Sequence, residues 1–318
     1  MVTPTVVVFG YGELGIAAAQ ALTDAGARFV ALVVPSNRSG DDVDRIVAFA
    51  AKQGFPVWVQ PPRRAVEPFV RQLRSAAPDV MVVWSYSMIL PQDVLDVPRL
   101  GVVNVHGGLL PEYRGGHVMQ WALINGEAET GVTLHYMDAG IDTGPMIADA
   151  RFPIEVGDDA VLVRTRLKAS GTELLRRWWP QIAAGTAPRV PQDETRARYW
   201  PMRNPEEGRI DWTATNEQIC RLVGALACNA PGAFVEADGR IVTIRSARPV
   251  PSEKTLGAPG RIDAVESGGV RVSTGAGDVL VTMVLVDGVV RQDAAVAEVL
   301  LPGTSVIAPS SSSLQAHG

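Results

Sequence analysis

Three polar side chains stand where apolar strands give way to glycine. Asn104-Val105-His106 closes an apolar run that begins at Val102. Alternation along a strand therefore puts Asn104 and His106 on one side, two residues apart. A loop follows, Gly107-Gly108-Leu109-Leu110-Pro111-Glu112-Tyr113-Arg114-Gly115-Gly116. Asp142 comes thirty-six positions after His106, inside Met137-Asp138-Ala139-Gly140-Ile141-Asp142-Thr143-Gly144. A carboxamide, an imidazole and a carboxylate on such loops are the parts of an acyl-transfer site. Composition alone leaves the structural reading open, because an Asp in a glycine turn is a common turn former.

A second pattern competes with the first. Gly10-x-Gly12-x-x-Gly15 follows the short strand Val6–Phe9 and opens an Ala-rich helix, which matches the dinucleotide fingerprint. A nicotinamide site also wants an acid at the end of the second strand to hold the ribose hydroxyls. Here that strand ends Val33-Val34-Pro35-Ser36-Asn37, and no acid comes before Asp41. The pattern reads as a turn that packs strand on helix, and an NAD-binding oxidoreductase is the remote alternative.

Both patterns need a scaffold that ends strands in loops. Apolar runs at Val6–Phe9, Phe29–Val34, Val57–Val59, Val80–Trp84, Val102–Val105 and Thr133–Met137 alternate with helical stretches. That alternation predicts an α/β fold with a Rossmann-like, mostly parallel sheet and helices on both faces. Asp41 or Asp42 is expected to cap a helix running to Gln53. The catalytic domain is expected over 1–187, with a polar linker over 188–205. Short alternating strands between glycine turns then predict a smaller C-terminal β-barrel, OB-like, over 206–307, and residues 308–318 read as a disordered tail.

Composition removes several functions. The 318 residues carry 29 Lys+Arg against 34 Asp+Glu, a net charge of −5, which argues against broad nucleic-acid binding. No apolar run approaches the ~18 residues of a membrane span. Cys220 and Cys228 show no metal spacing or disulfide framework. A cytoplasmic enzyme without a metal and without membrane partners is the expectation.

The chain resembles the folate-dependent formyltransferases, which include methionyl-tRNA formyltransferases and N-formyltransferases of amino sugars and amino acids. The likeness rests on Val102-Val103-Asn104-Val105-His106-Gly107, Leu109-Leu110-Pro111-x-x-Arg114-Gly115 and Glu129-Thr130-Gly131-Val132-Thr133. It continues through Met137-Asp138-x-Gly140-x-Asp142-Thr143-Gly144 and Gly208-Arg209-Ile210-Asp211-Trp212. The resemblance implies that Asn104, His106 and Asp142 are catalytic and that 10-formyltetrahydrofolate gives its formyl group to a primary amine. It carries folate binding onto Ser87, Met88, Ile89 and Leu90 and onto Asp138, Ala139, Gly140 and Ile141. The loop residues Leu110, Pro111, Tyr113, Arg114, Gly115 and His117 are expected to face the acceptor. Arg114 either binds an acidic group or forms a loop salt bridge, and His135 reads as a structural strand residue.

The acceptor divides the family. The segment after the second strand is short, Pro35-Ser36-Asn37-Arg38-Ser39-Gly40, and residues 204–318 carry 9 Lys+Arg against 13 Asp+Glu. Nucleic-acid affinity rests largely on cationic contacts to phosphate. A small amine, an amino sugar or a hydroxyornithine-type siderophore precursor, is therefore the expected acceptor. Methionyl-tRNA is the alternative, favoured by the Arg189, Arg196, Arg198, Arg203 stretch.

Overall fold

The computed structural model describes residues 4–229, 232–237, 239–250, 257–301 and 303–306. The expected tail lies outside them. The chain divides into two compact units. One comprises Met1–Val118, Glu129–Phe152 and Thr165–Trp200; the other comprises Met119–Ala128, Pro153–Arg164 and Pro201–Gly318.

The first unit is built on β1 (Thr5–Gly10), β2 (Arg28–Pro35), β3 (Val57–Gln60), β4 (Val80–Trp84), β5 (Val102–His106), β6 (Arg114–Gly115), β7 (Glu129–Tyr136), β8 (Met146–Pro153) and β9 (Tyr199–Trp200). Seven strands form one sheet in the order β3-β2-β1-β4-β5-β7-β8, while β6 and β9 pair separately. Val dominates the central strands, and Val6, Val7, Phe9, Val80, Met81 and Val82 are sealed from solvent, as strands covered on both faces must be. β1 through β5 run parallel. Strand order reverses between β1 and β4, so their carboxyl ends flank the crevice where open α/β sheets hold ligands. The mostly parallel sheet agrees with the expected fold, with one addition. β7 runs antiparallel to β5, setting His135 opposite Asn104 and Thr133 opposite His106.

The helices are α1 (Gly12–Asp24), α2 (Asp41–Gln53), α3 (Glu67–Ala76), α4 (Gln92–Leu95), α5 (Val118–Asn125), α6 (Ala160–Ala184) and α7 (Asn216–Ala225). α2 starts from Gly40 with no side-chain cap, in contrast to the expected Asp cap. Asp42 instead ion-pairs with Arg45 at 2.7 Å. Asp41, Asp42 and Asp44 still favour the helix start through its dipole.

The second unit holds a six-stranded antiparallel sheet made of β10 (Ala233–Ala237), β11 (Arg240–Val250), β12 (Ile262–Glu266), β13 (Gly269–Ser273), β14 (Asp278–Val286) and β15 (Val289–Gln292). No ladder joins β10 to β12 among the described residues. A capping box between Thr215 and Gln218 starts α7. Its Ile219 and Val223 pack into one core with Val242, Ile244, Val272 and Val281.

Candidate active site

β5 delivers Asn104 and His106 as alternation requires, and the loop between β7 and β8 returns Asp142 to them. Asp142 Oδ2 lies 3.6 Å from His106 Nδ1 and accepts the Gly115 N–H at 2.9 Å. Asp142 Oδ1 lies 3.6 Å from Nε2 of His135. That imidazole is also 3.1 Å from Asn104 Nδ2. His135 thus stands between two expected catalytic side chains, which reading it as a lone strand residue missed. Its signal lay in the β5–β7 register, and nothing in a single strand reveals that register.

Carbonyl oxygens only accept hydrogen bonds, which fixes where the imidazole protons sit. His106 Nε2 is 2.6 Å from the Tyr113 carbonyl and so donates to it. His135 Nδ1 donates to the Tyr136 carbonyl at 2.9 Å, leaving Nε2 to accept from Asn104. In the neutral rings, both nitrogens facing Asp142 are therefore unprotonated. Burial opposes ionisation of Asp142, but His106, His135 and the Gly115 N–H outweigh it and hold the carboxyl well below the usual range. Burial is also the largest influence on His106 and lowers its pKa, against the pull of Asp142. The cluster sets an ionised carboxylate against the two imidazoles, 3.6 Å from each.

Backbone strain gathers at the same place. Six described non-glycine residues have positive φ, and three of them are Ser85 (54°), His117 (51°) and Asp142 (55°). These lie on three loops of the expected site, where strain is characteristically concentrated.

The expected folate loops leave β4 and β7. Tyr86, Leu90 and Met137, at their roots, pack on one apolar cluster with Phe9 and Val83. Ser87 donates its hydroxyl to Asn37 at 2.7 Å, and Gln60 donates to the Ile89 carbonyl, fixing the first loop. Asp138 accepts from the Gly140 N–H and the Thr143 hydroxyl, fixing the second. Ile89 is 80% exposed and Ile141 60% exposed. Each loop thus presents a large apolar side chain to solvent beside main-chain polar groups. That pairing suits a flat heterocycle with a polar edge. Met88 is half-buried, and Ala139 is exposed beside Ile141.

The expected acceptor loop divides in two. Leu110, Pro111 and Tyr113 are buried, and Tyr113 stacks on Trp200 at 5.3 Å. Arg114 is sealed from solvent. Its guanidinium grips Glu194, Gln192 and the Tyr199 hydroxyl. Of the two readings open for Arg114, the structure shows the loop ion pair, with the β6–β9 pairing turning the side chain inward and away from the expected acceptor. Gly115 and His117 are half-buried. Among the described residues no group of three His, Cys, Asp or Glu is arranged for a metal ion, and no helix is long and apolar enough to cross a membrane.

Comparison with known proteins gives the family. Residues 6–178 match the formyl transferase family, and residues 203–295 match the formyl transferase C-terminal domain. A methionyl-tRNA formyltransferase of Synechococcus sp. (strain JA-3-3Ab) is 36% identical over 303 residues, covering 91% of this chain and 93% of the relative. One from Geobacter sulfurreducens is 34% identical over 288 residues, covering 89% of each. A crystal structure of WlaRD, a sugar 3N-formyl transferase in the presence of dTDP and 5-N-formyl-THF, superposes with a TM-score of 0.69. It shares 18% identity and covers 88% of this chain and 97% of its own, so it speaks to the fold alone. The curated relatives overturn the expectation of a small-amine acceptor: at this identity, over most of the chain, they are methionyl-tRNA enzymes. Net charge sums over a whole surface whereas phosphate recognition is local, so an acidic total does not exclude a tRNA acceptor. The chain is a folate-dependent N-formyltransferase whose formyl donor is 10-formyltetrahydrofolate. Through both of its matched segments it belongs to the folate-dependent formyltransferase family.

Proposed function

We propose that the chain formylates the amino group of methionyl-tRNA, with Asn104, His106 and Asp142 as catalytic residues. The observation that carries the acceptor is the likeness to methionyl-tRNA formyltransferases, at 36% identity over 91% of this chain. A cytoplasmic location follows from that substrate.

The bound donor supplies an electrophilic formyl carbon. The exposed Ile89 and Ile141 would cover its ring, and main-chain groups of 85–90 and 138–142 would bind its polar edge. The Asn104 amide, aimed by His135, donates to the formyl oxygen as negative charge develops. One such donor is worth about 10²–10³ in rate. An α-amino group has a pKa near 7.7–8.0, so an appreciable fraction is protonated at neutral pH. Asp142 accepts the surplus proton as the nitrogen attacks. His106 Nδ1, facing that carboxylate, takes the proton and passes it to the departing nitrogen.

The test is an acceptor panel followed by tetrahydrofolate release. Charged initiator tRNA should be formylated faster than any amino sugar or amino acid. A small amine that turns over faster would overturn the acceptor assignment.

A further inference from the structure

The Asp142 carboxylate is held from two directions that meet in one residue pair. Gly115 donates its N–H to Oδ2 at 2.9 Å. The preceding residue, Arg114, spends all five guanidinium N–H donors inside the fold. Nε and one Nη2 hydrogen go to Gln192 Oε1 at 3.0 and 2.8 Å. The others go to Glu194 at 2.6 and 2.9 Å and to the Tyr199 hydroxyl at 2.9 Å. Gln192 completes the circuit, donating from Nε2 to the carbonyls of Asp142 and Gly144, each at 2.7 Å. The ring therefore runs Asp142 carboxylate, Gly115, Arg114, Gln192, Asp142 carbonyl. It closes on a residue whose backbone sits at φ 55°, a conformation that persists only where its surroundings enforce it.

We infer that Gln192, aimed by Arg114, is a positioning residue for the Asp142 carboxylate. The inference rests on the catalytic reading of Asp142. Gln192 itself faces the back of the Asp142 loop, and a glutamine amide serves here because it accepts twice from Arg114 while donating twice to backbone. A glutamate has the same shape and still satisfies Arg114, but it lacks both donors.

Gln192→Glu in the full chain should lower kcat for methionyl-tRNA about 10–100-fold, the cost of a small misplacement at a reacting centre. KM for the tRNA should stay within about twofold, since uniform binding is untouched. Arg114→Lys keeps the charge but breaks the fork that aims Gln192, giving a second variant with the same expected split. In an Asp142→Ala background, Gln192→Glu should cause no further loss, because residues acting as a unit are non-additive. An unchanged kcat in both folded single variants would overturn the inference. So would a loss in the Asp142→Ala background as large as in the parent. Near-normal turnover of Asp142→Ala alone is a different failure, because it removes the catalytic role of Asp142 and the positioning role with it.

Discussion

Two glycine-rich turns follow parallel strands of the same sheet, and they do opposite things. After β1, Gly10 and Gly15 meet backbone to backbone. A Cβ on Gly10 would stand 2.8 Å from the Gly15 Cα and 2.9 Å from the Trp84 carbonyl. That turn is consumed in packing strand on helix. After β5, the longer turn ends with a glycine whose N–H donates to the Asp142 carboxylate. A glycine pattern alone therefore does not distinguish a ligand loop from a packing device. What decides is where the N–H groups point and what occupies the missing side chain's place.

The contrast breaks first at its carboxylate. Asp142→Ala should reduce formylation about 10²–10⁴-fold with the fold intact, read by single-turnover kinetics beside a thermal melt. Gly115→Ala attacks the same turn through its backbone. Its Cβ would lie 2.2 Å from the Trp200 carbonyl, at a φ of 102° that side chains rarely adopt. Shifting the donor to Asp142 should cost about 10²-fold in kcat, together with stability. Gly10→Ala should be the mirror image. Overpacking is expected to destabilise by about 1–3 kcal/mol in a denaturant titration. Turnover per folded molecule should hold, and a selective loss of kcat would blur the two turns into one site.

Acid should produce a smaller, graded effect. Burial holds His106 below its ordinary 6.5, so the unfolded chain binds that proton first. Its contribution is full above 6.5 and is lost as pH falls from 6.5 through the folded value. Asp142, also depressed, contributes fully above 3.8 and loses that contribution further down. Melting temperature should therefore decline in two stretches on acidification, and His106→Asn should flatten the upper one. At the null end of the scale, NAD should leave the melting temperature unmoved. Folinic acid, a stable formylated analogue, at about 100 times its Kd should add about 2.7 kcal/mol.

Much of the scaffold was legible because buried parallel strands read as apolar runs between turns. Asn104, His106 and Asp142 were legible as residue types, and the structure brings them together. His135 was not, because a polar residue in a buried strand shows no partner until the antiparallel register sets it opposite Asn104. Gln192 and Glu194 were hidden differently: polar residues between helices look like solvated linker, yet Gln192 is buried. Arg114 stayed open between a ligand contact and a loop salt bridge, because nothing in the sequence shows which carboxylate meets its charge. The acceptor was misread because net charge is a sum and recognition is a pattern.

The pairing of β6 with β9 sets a limit on how this protein can be shortened. A fragment ending at 187, where composition suggests the first domain stops, would discard Gln192, Glu194, Tyr199 and Trp200 together. It would keep every atom of Asn104, His106 and Asp142 while stranding a guanidinium inside the fold with no carboxylate to meet it. Anyone trimming or transplanting the N-terminal half should carry the chain at least through Trp200.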